Sequence, residues 1–221
     1  MAATIQEIKQ MLLQANDESF AVLERSLSAD TRKGVRSAVE STRRRLEAQR
    51  AEITRLDGLY SFQESIAKEH GGRVVLGLDE VGRGSIAGPL AVGGVVLPDE
   101  PHIQGLNDSK QLSPAKREEI ADQVRQTAIA WTVQYVEPDV IDSIGMTASL
   151  RRAFSSAIAQ IEKAGIEVDV VLLDGNAMHL DKREVNVIKG DARCASIAAA
   201  SIVAKVERDA LMTRYAVEYP Q

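Results

Sequence analysis

The sequence is poor in cysteine and in aromatic residues, and it contains no long hydrophobic run. Of its 221 residues one is cysteine, Cys194, and 4% are aromatic. A single cysteine excludes an intramolecular disulfide scaffold and is typical of a reducing compartment. No stretch reaches the roughly 18–20 consecutive apolar residues of a membrane span. Because Glu7 and Lys9 also interrupt the segment where a signal peptide would be apolar, we expect a cytoplasmic protein.

The composition is that of a globular chain, with 44% hydrophobic and 27% charged residues. The net charge is −5, and residues 1–72 balance 11 basic against 11 acidic side chains, so the deficit lies in residues 73–221. Residues 31–55 form a basic strip with 8 basic and 3 acidic side chains. Such a strip either follows phosphates or, more often, forms a solvated helix face. The acidic excess of the larger part fits carboxylates that hold divalent metal.

The hydrophobic pattern predicts two domains, a helical N-terminal extension over 1–72 and an α/β domain over 73–221. Helical spacing predicts one helix before Ala29-Asp30-Thr31 and a second after it, and Gly71-Gly72 ends this pattern. The second part then alternates predicted strands at 73–78, 90–97, 131–136, 168–173 and 185–188 with predicted helices at 114–130, 147–163 and 195–215. This order is typical of a mixed sheet covered by helices.

Carboxylates stand where three of these strands stop. Asp79 and Glu80 follow one apolar run, Asp174 follows another, and Asp191 comes shortly after the last strand. Each one alone is explained as a turn former, but three acidic strand ends are less easily explained by chance. Carboxylates gathered at one edge repel one another unless cations neutralise them, and hard oxygen ligands suit Mg²⁺ or Mn²⁺. Two such ions about 4 Å apart would support phosphodiester hydrolysis by a two-metal mechanism.

The turn after the first strand has two interpretations. Residues 82–87 match the G-x-G-x-x-A fingerprint of dinucleotide-binding proteins. That fingerprint needs a helix at the turn, whereas Gly88-Pro89 and a strand pattern follow here, so a nucleotide-cofactor enzyme is disfavoured. The alternative is that the glycines let the backbone approach a ligand closely, with Arg83 beside the carboxylates.

Four ordered blocks of the sequence resemble bacterial ribonuclease HII, the type 2 ribonucleases H. The blocks are Asp79-Glu80-Val81-Gly82-Arg83-Gly84 with Ala87-Gly88-Pro89, Asn107-Asp108-Ser109-Lys110, Leu173-Asp174-Gly175, and Lys189-Gly190-Asp191 leading into residues 196–205 and Arg208-Asp209. The resemblance runs from about Arg73 to the last residue. It implies an RNase H-like fold and metal-dependent cleavage of RNA in RNA–DNA hybrids. It also implies incision 5′ of ribonucleotides embedded in duplex DNA, as in ribonucleotide excision repair, which leaves a 3′-hydroxyl and a 5′-phosphate.

The resemblance also assigns roles to residues. It implies that the four metal-binding, catalytic carboxylates are Asp79, Glu80, Asp174 and Asp191. It implies substrate binding by Gly82, Arg83, Gly84, Ser109, Lys110, Arg117 and Lys205. The resemblance implies that the glycine-containing turn contacts the ribonucleotide 2′-hydroxyl, the group that distinguishes RNA from DNA. Lysine and arginine contacts to phosphate position the substrate rather than specify it.

The family usually continues beyond the point where this sequence ends at Tyr219-Pro220-Gln221. Its further segment has a glycine-tyrosine-glycine block that helps to recognise the RNA–DNA junction. An alternative expectation is therefore a protein that binds RNA–DNA hybrids but is catalytically impaired. We expect a monomer, whose partners are hybrids and ribonucleotide-containing DNA and not membranes.

Overall fold

The computed structural model describes residues 3–220, which contain seven α-helices and five β-strands. In chain order these are α1 (Ile5–Gln14), α2 (Asp17–Ser26), α3 (Lys33–Glu69), β1 (Val75–Val81), β2 (Leu90–Val96), α4 (Pro114–Thr127), β3 (Ala130–Val136), α5 (Pro138–Ile144), α6 (Met146–Lys163), β4 (Val170–Asp174), β5 (Glu184–Val187) and α7 (Ala195–Glu218). Two 3₁₀ turns lie at Ser109–Gln111 and Gly190–Ala192. No helix in this range is long and apolar enough to cross a membrane.

The chain divides into two compact units, Met1–Arg55 and Leu56–Gln221. The boundary between them falls inside α3, so the last turns of this helix belong to the second unit. The division at residue 72 rests on the change in hydrophobic pattern, and as a statement about domains it stays a prediction.

In the first unit the helices begin at side-chain caps. Thr4 Oγ1 accepts a hydrogen bond from the Glu7 amide at 3.2 Å, and Asn16 Oδ1 accepts one from the Ser19 amide at 2.9 Å. The Asn16 cap divides the segment before residue 29 into α1 and α2, so the prediction of one helix there was wrong. Six buried residues form the core of this unit: Ile8, Leu12, Ala15, Phe20, Val35 and Leu46.

Basic side chains of residues 31–55 are used within this unit. Arg43 forms ion pairs with Glu24, at 2.6 Å, and with Glu40. Arg45 donates to the backbone carbonyl of Ala15 at 2.8 Å. These contacts favour the interpretation of the strip as an ion-paired helix surface over that of a track for phosphates.

The second unit is built on one mixed sheet with the strand order β3-β2-β1-β4-β5. The central strand β1 is antiparallel to β2 and parallel to β4, and β5 continues the parallel part. Side chains of β1 alternate between the two faces: Leu76 and Leu78 pack with Phe154 of α6, whereas Gly77 faces Ser196 of α7. The predicted α/β architecture, a mixed sheet flanked by helices, is confirmed.

Two glycines bring α7 directly onto the sheet. A Cβ atom on Gly77 would lie 2.3 Å from the carbonyl carbon of Ser196, and one on Gly93 would lie 2.2 Å from the carbonyl oxygen of Ala200. Gly93 is also the partner of Asp79 in the β1–β2 register. Backbone thus touches backbone at these points, and the short side chains of α7 come within reach of β1.

The end of α3 caps the start of α7. Cys194, the residue before α7, provides no side-chain cap, and instead Gln63 Oε1 accepts a hydrogen bond from the Ser196 amide at 2.8 Å. Cys194 Sγ donates to the same oxygen at 3.4 Å and is fully buried. A side chain of α3 therefore satisfies an amide that an N-terminal helical turn leaves unpaired.

Candidate active site

Four carboxylates meet at one edge of the sheet, where its three parallel strands end. Asp79 and Glu80 lie near the end of β1, and Asp174 is the last residue of β4. The parallel register of β1 and β4 places Asp79 beside Asp174, and Asp191 lies in the 3₁₀ turn after β5. We call these four residues the carboxylate cluster. The sequence pattern predicted that the first two follow their strand, whereas β1 in fact continues through them to Val81.

Strand alternation directs the two carboxylates of β1 to opposite faces. Asp79 points to the α7 face, where it is 6% exposed and accepts a hydrogen bond from Ser201. Glu80 points to the α6 face, where it lines a cavity of about 220 Å³ with Arg83, Asp174 and other residues. Two members of the cluster, Glu80 and Asp174, therefore line a cavity on the α6 side, whereas Asp79 is held from the α7 side.

A tight turn after β5 brings Asp191 to Asp174. Lys189 has a left-handed backbone conformation, with φ at 56°, which reverses the chain directly after the strand. The next amide, that of Gly190, then donates to Asp174 Oδ1 at 2.6 Å. A Cβ atom on Gly190 would lie 2.6 Å from Ile197 Cδ1, so a larger residue does not fit there without movement.

Burial and mutual repulsion raise the pKa values of three of the carboxylates. Burial is the main cause for Asp79, whose pKa rises to about 8. The hydrogen bond from Ser201 opposes this rise, and the charges of Glu80 and Asp174 add to it. Burial likewise raises the pKa of Glu80, although Arg83 partly opposes it. For Asp174, burial outweighs the Gly190 hydrogen bond and raises the pKa.

The donor chemistry of the carboxylate cluster fits a hard divalent cation. All four residues offer carboxylate oxygens, the ligands that Mg²⁺ and Mn²⁺ prefer, and their mutual repulsion would be relieved by positive charge. In the described part of the chain, however, no three His, Cys, Asp or Glu side chains already have the geometry of a metal site. One member, Asp191, is instead engaged by a lysine: Lys110 Nζ donates to its Oδ2 at 3.2 Å.

The glycine-containing turn at residues 82–89 is held in place by Arg208 of α7. This side chain is buried, and it donates from Nε to the carbonyl of Pro89 at 2.8 Å and from Nη2 to that of Ala87 at 3.0 Å. Gly82 has φ at 96°, and a Cβ atom there would lie 2.4 Å from Arg208 Nε. The turn therefore requires glycine at residue 82. Gly84 has open space around it.

Arg83 extends from this turn towards the carboxylate cluster. Its Nη1 donates to Glu80 Oε1 at 3.3 Å, and its side chain is 64% exposed. The strand β2, rather than a helix, follows the turn, which excludes the dinucleotide-binding arrangement weighed from the sequence.

The loop that carries Lys110 is fixed from both sides. Ser109 Oγ and Ser201 Oγ lie 3.0 Å apart in a buried contact. Arg117 Nη1 donates to the carbonyls of Ser109 and Leu112 at 2.9 and 2.8 Å. The structure thus brings Ser109 and Lys110 to the cluster, whereas Arg117 contacts the backbone of their loop.

Lys205, which the family resemblance assigned to substrate binding, forms its ion pair away from the carboxylate cluster. It pairs with Asp209 one turn further along α7, at 2.6 Å, and within residues 3–220 it forms no ion pair with the carboxylate cluster. Ser201 and Arg208 were not predicted as site residues, although both lie in blocks that carry the family resemblance. The features that single them out are a buried serine in the alanine-rich first half of α7 and an arginine that is buried although arginine is mostly exposed in proteins.

Comparison with known proteins identifies the family. The family model for Ribonuclease HII matches residues 76–221, and the model for the Ribonuclease HII N-terminal domain matches residues 4–67. The chain belongs to the ribonuclease HII family. A relative from Listeria monocytogenes, Ribonuclease HII, is 37% identical over 220 residues, which cover 100% of this chain and 82% of the relative.

Two solved structures show the same fold. The structure of the PCNA:RNase HII complex from Archaeoglobus fulgidus matches with a TM-score of 0.60 and 28% identity, over 67% of this chain and 79% of that one. The crystal structure of ribonuclease H2 from Pyrococcus horikoshii matches with a TM-score of 0.59 and 26% identity, over 67% and 78%. The resemblance to ribonuclease HII and the expectation of a ribonuclease H enzyme, whose family acts on RNA–DNA hybrids, are confirmed.

Proposed function

We propose that this ribonuclease H is a metal-dependent endonuclease. It hydrolyses the RNA strand of RNA–DNA hybrids and incises duplex DNA on the 5′ side of an embedded ribonucleotide, leaving a 3′-hydroxyl and a 5′-phosphate. The observation that carries the proposal is the carboxylate cluster, in which burial and repulsion make the ionised state costly without a cation. Repair of ribonucleotide-containing DNA is the cellular role that this activity suits.

The four residues of the carboxylate cluster are the proposed ligands of Mg²⁺ or Mn²⁺. A pair of such cations, when bound, supplies activation of water and stabilisation of charge on the departing 3′ oxygen. Asp79 is held rigidly for this task, because Ser201 and the Glu80 amide both donate to its carboxylate. Asp174 keeps one oxygen on the Gly190 amide, so its orientation is also determined before an ion binds.

Substrate binding is assigned to the groups that surround the carboxylate cluster. Arg83 and Lys110 are exposed cations, 64% and 77% accessible, and each is suited to a backbone phosphate. The backbone from Gly82 to Gly84 is proposed to contact the 2′-hydroxyl, which gives selectivity for a ribonucleotide. Ser109 and Arg117 support the lysine-bearing loop, and Lys205 remains a candidate phosphate contact.

A cleavage assay with a single-ribonucleotide substrate tests the proposal. The chain is incubated with an end-labelled DNA duplex that contains one ribonucleotide, in Mg²⁺, in Mn²⁺ or in EDTA, beside an all-DNA duplex. We expect incision 5′ of the ribonucleotide with either metal, no incision in EDTA and an intact DNA control. Asp174→Asn should abolish incision, whereas Asp139→Asn, an exposed carboxylate on α5, should not.

Two outcomes would contradict the proposal. Full activity of Asp174→Asn would show that the carboxylate cluster is not the catalytic site. Tight binding of the duplex without products under any metal would favour the alternative, a hybrid-binding protein that is catalytically impaired.

A further inference from the structure

Lys110 is in direct contact with the carboxylate cluster. Its Nζ is 3.2 Å from Asp191 Oδ2 and 4.0 Å from Asp108 Oδ1. Its ammonium is also attracted by the charge of Asp79. The charge of Lys110 also interacts favourably with that of Asp174. The ammonium therefore interacts with three of the four carboxylates.

The two partners of this ion pair differ strongly in exposure. The Lys110 side chain is 77% accessible, whereas the Asp191 side chain is 10% accessible. Asp191 is fixed by the turn that follows β5, while lysine carries its charge on a flexible stem of four carbons. Because the ammonium is exposed, it can exchange Asp191 for another anion without losing buried contacts, and the cost of its departure falls on Asp191. The carboxylate it would leave behind is a buried anion that requires another cation.

We propose that Lys110 is a displaceable counter-ion, which neutralises Asp191 in the free protein and moves to a backbone phosphate when nucleic acid binds, so that Asp191 becomes available to the metal. This inference rests on the proposed metal-dependent function. It makes Lys110 a positioning residue with two alternative partners, both anionic. Nucleic acid and metal then favour each other's binding, because each removes a competitor of the other, and such coupling is reciprocal.

Metal binding to the free protein tests the first half of the proposal without any cleavage. Mn²⁺ is titrated into the wild type, Lys110→Gln and Lys110→Arg, and free Mn²⁺ is followed by its electron paramagnetic resonance signal. Lys110→Gln should bind Mn²⁺ about 3- to 10-fold more tightly than the wild type, since a nearby positive charge is removed. Lys110→Arg keeps the charge and should stay within about 2-fold of the wild type.

Lys68→Gln is the matched control. Lys68 is 71% exposed and pairs with Glu64 at 2.6 Å on α3, so its substitution changes the net charge equally while leaving the cluster untouched. Equal or weaker Mn²⁺ binding by Lys110→Gln relative to the wild type would overturn the role of Lys110 alone. If neither the wild type nor Lys110→Gln bound Mn²⁺, the proposed metal site would be refuted as well.

A second titration tests release by phosphate. The Mn²⁺ titration of the wild type and Lys110→Gln is repeated in the presence of saturating 2′-O-methyl RNA–DNA hybrid, which offers backbone phosphates but no 2′-hydroxyl. The difference in Mn²⁺ affinity between the wild type and Lys110→Gln should shrink to within about 2-fold, because Lys110 has already left Asp191. An undiminished difference would overturn the transfer to phosphate. Unfolding temperatures of all variants, measured beforehand, identify any protein that is not folded.

Discussion

Replacement of Asp79 by asparagine should stabilise the metal-free protein at neutral and alkaline pH. The pKa of this buried carboxyl is raised from 3.8 to about 8 in the folded protein, mainly by burial. Above pH 3.8 the unfolded chain ionises the group freely, whereas the folded chain resists ionisation until about pH 8. The wild type therefore loses stability as the pH rises between these values, and the loss is complete above the folded pKa.

The structure sets an upper limit to this effect. Each tenfold change in proton affinity corresponds to about 1.4 kcal/mol, so a pKa difference of about 4 gives at most about 6 kcal/mol. Water entry and side-chain movement reduce such penalties in real proteins. We therefore expect Asp79→Asn to be more stable than the wild type by about 2–4 kcal/mol at pH 8 and by much less at pH 5.

Urea denaturation in EDTA at pH 5 and pH 8 measures the difference. The comparison at each pH cancels the titrating groups that do not interact with Asp79, because they are shared by both proteins. Glu80 and Asp174 do interact with Asp79, and their ionisation becomes easier in Asp79→Asn. Saturating Mg²⁺ should then stabilise the wild type by about 2–3 kcal/mol at a hundred times its dissociation constant and leave Asp79→Asn unchanged. Equal stability of the two proteins at both pH values would refute the reasoning that the carboxylate is confined in a costly ionised state.

Three further predictions concern packing and support of the site. Gly93→Ala should destabilise the protein by about 1–3 kcal/mol, because the new Cβ meets backbone of α7, whereas Gly58→Ala, with open space on α3, should stabilise it by about 0.5–1 kcal/mol. Equal stability of the two variants in urea denaturation would contradict the close approach of α7 to β2. Gln63→Ala should lower stability by about 0.5–2 kcal/mol through loss of the α7 cap, and an unchanged unfolding temperature would argue against it. Arg208→Ala should raise KM for a ribonucleotide-containing duplex on the order of 10-fold, because the glycine-containing turn loses its anchor; a change in kcat with constant KM would show that the arginine acts elsewhere.

The parts of the site that the sequence predicts are those encoded locally. Asp79, Glu80 and Asp174 stand out because each interrupts or ends an apolar run, and parallel strands bring such ends to one edge. Ser201 and Arg208 act on residues more than a hundred positions away, at Asp79 and in the turn before β2. No local pattern encodes such a pairing, so only the packing of α7 on the sheet reveals it.

Hydrophobic periodicity explains which helices were predicted. α6 was predicted almost to the residue because buried side chains recur along one face of it. α5, at Pro138–Ile144, was missed, since it is seven residues long and contains no buried side chain that would give it an apolar stripe. The break between α1 and α2 depends on one hydrogen-bonded cap at Asn16 and not on hydrophobicity.

The alternation of β1 links the fidelity of folding to activity. One strand sends Leu76 and Leu78 into the core on the face that Glu80 shares, and it sends Asp79 to the other face. A slip of one residue in its pairing would put leucine against α7 and exchange the faces of the two acids. A misfolded chain of this kind would lose its core and the carboxylate cluster together. If the carboxylate cluster is the catalytic site, as proposed, chains with the wrong strand register are inactive as well as less stable.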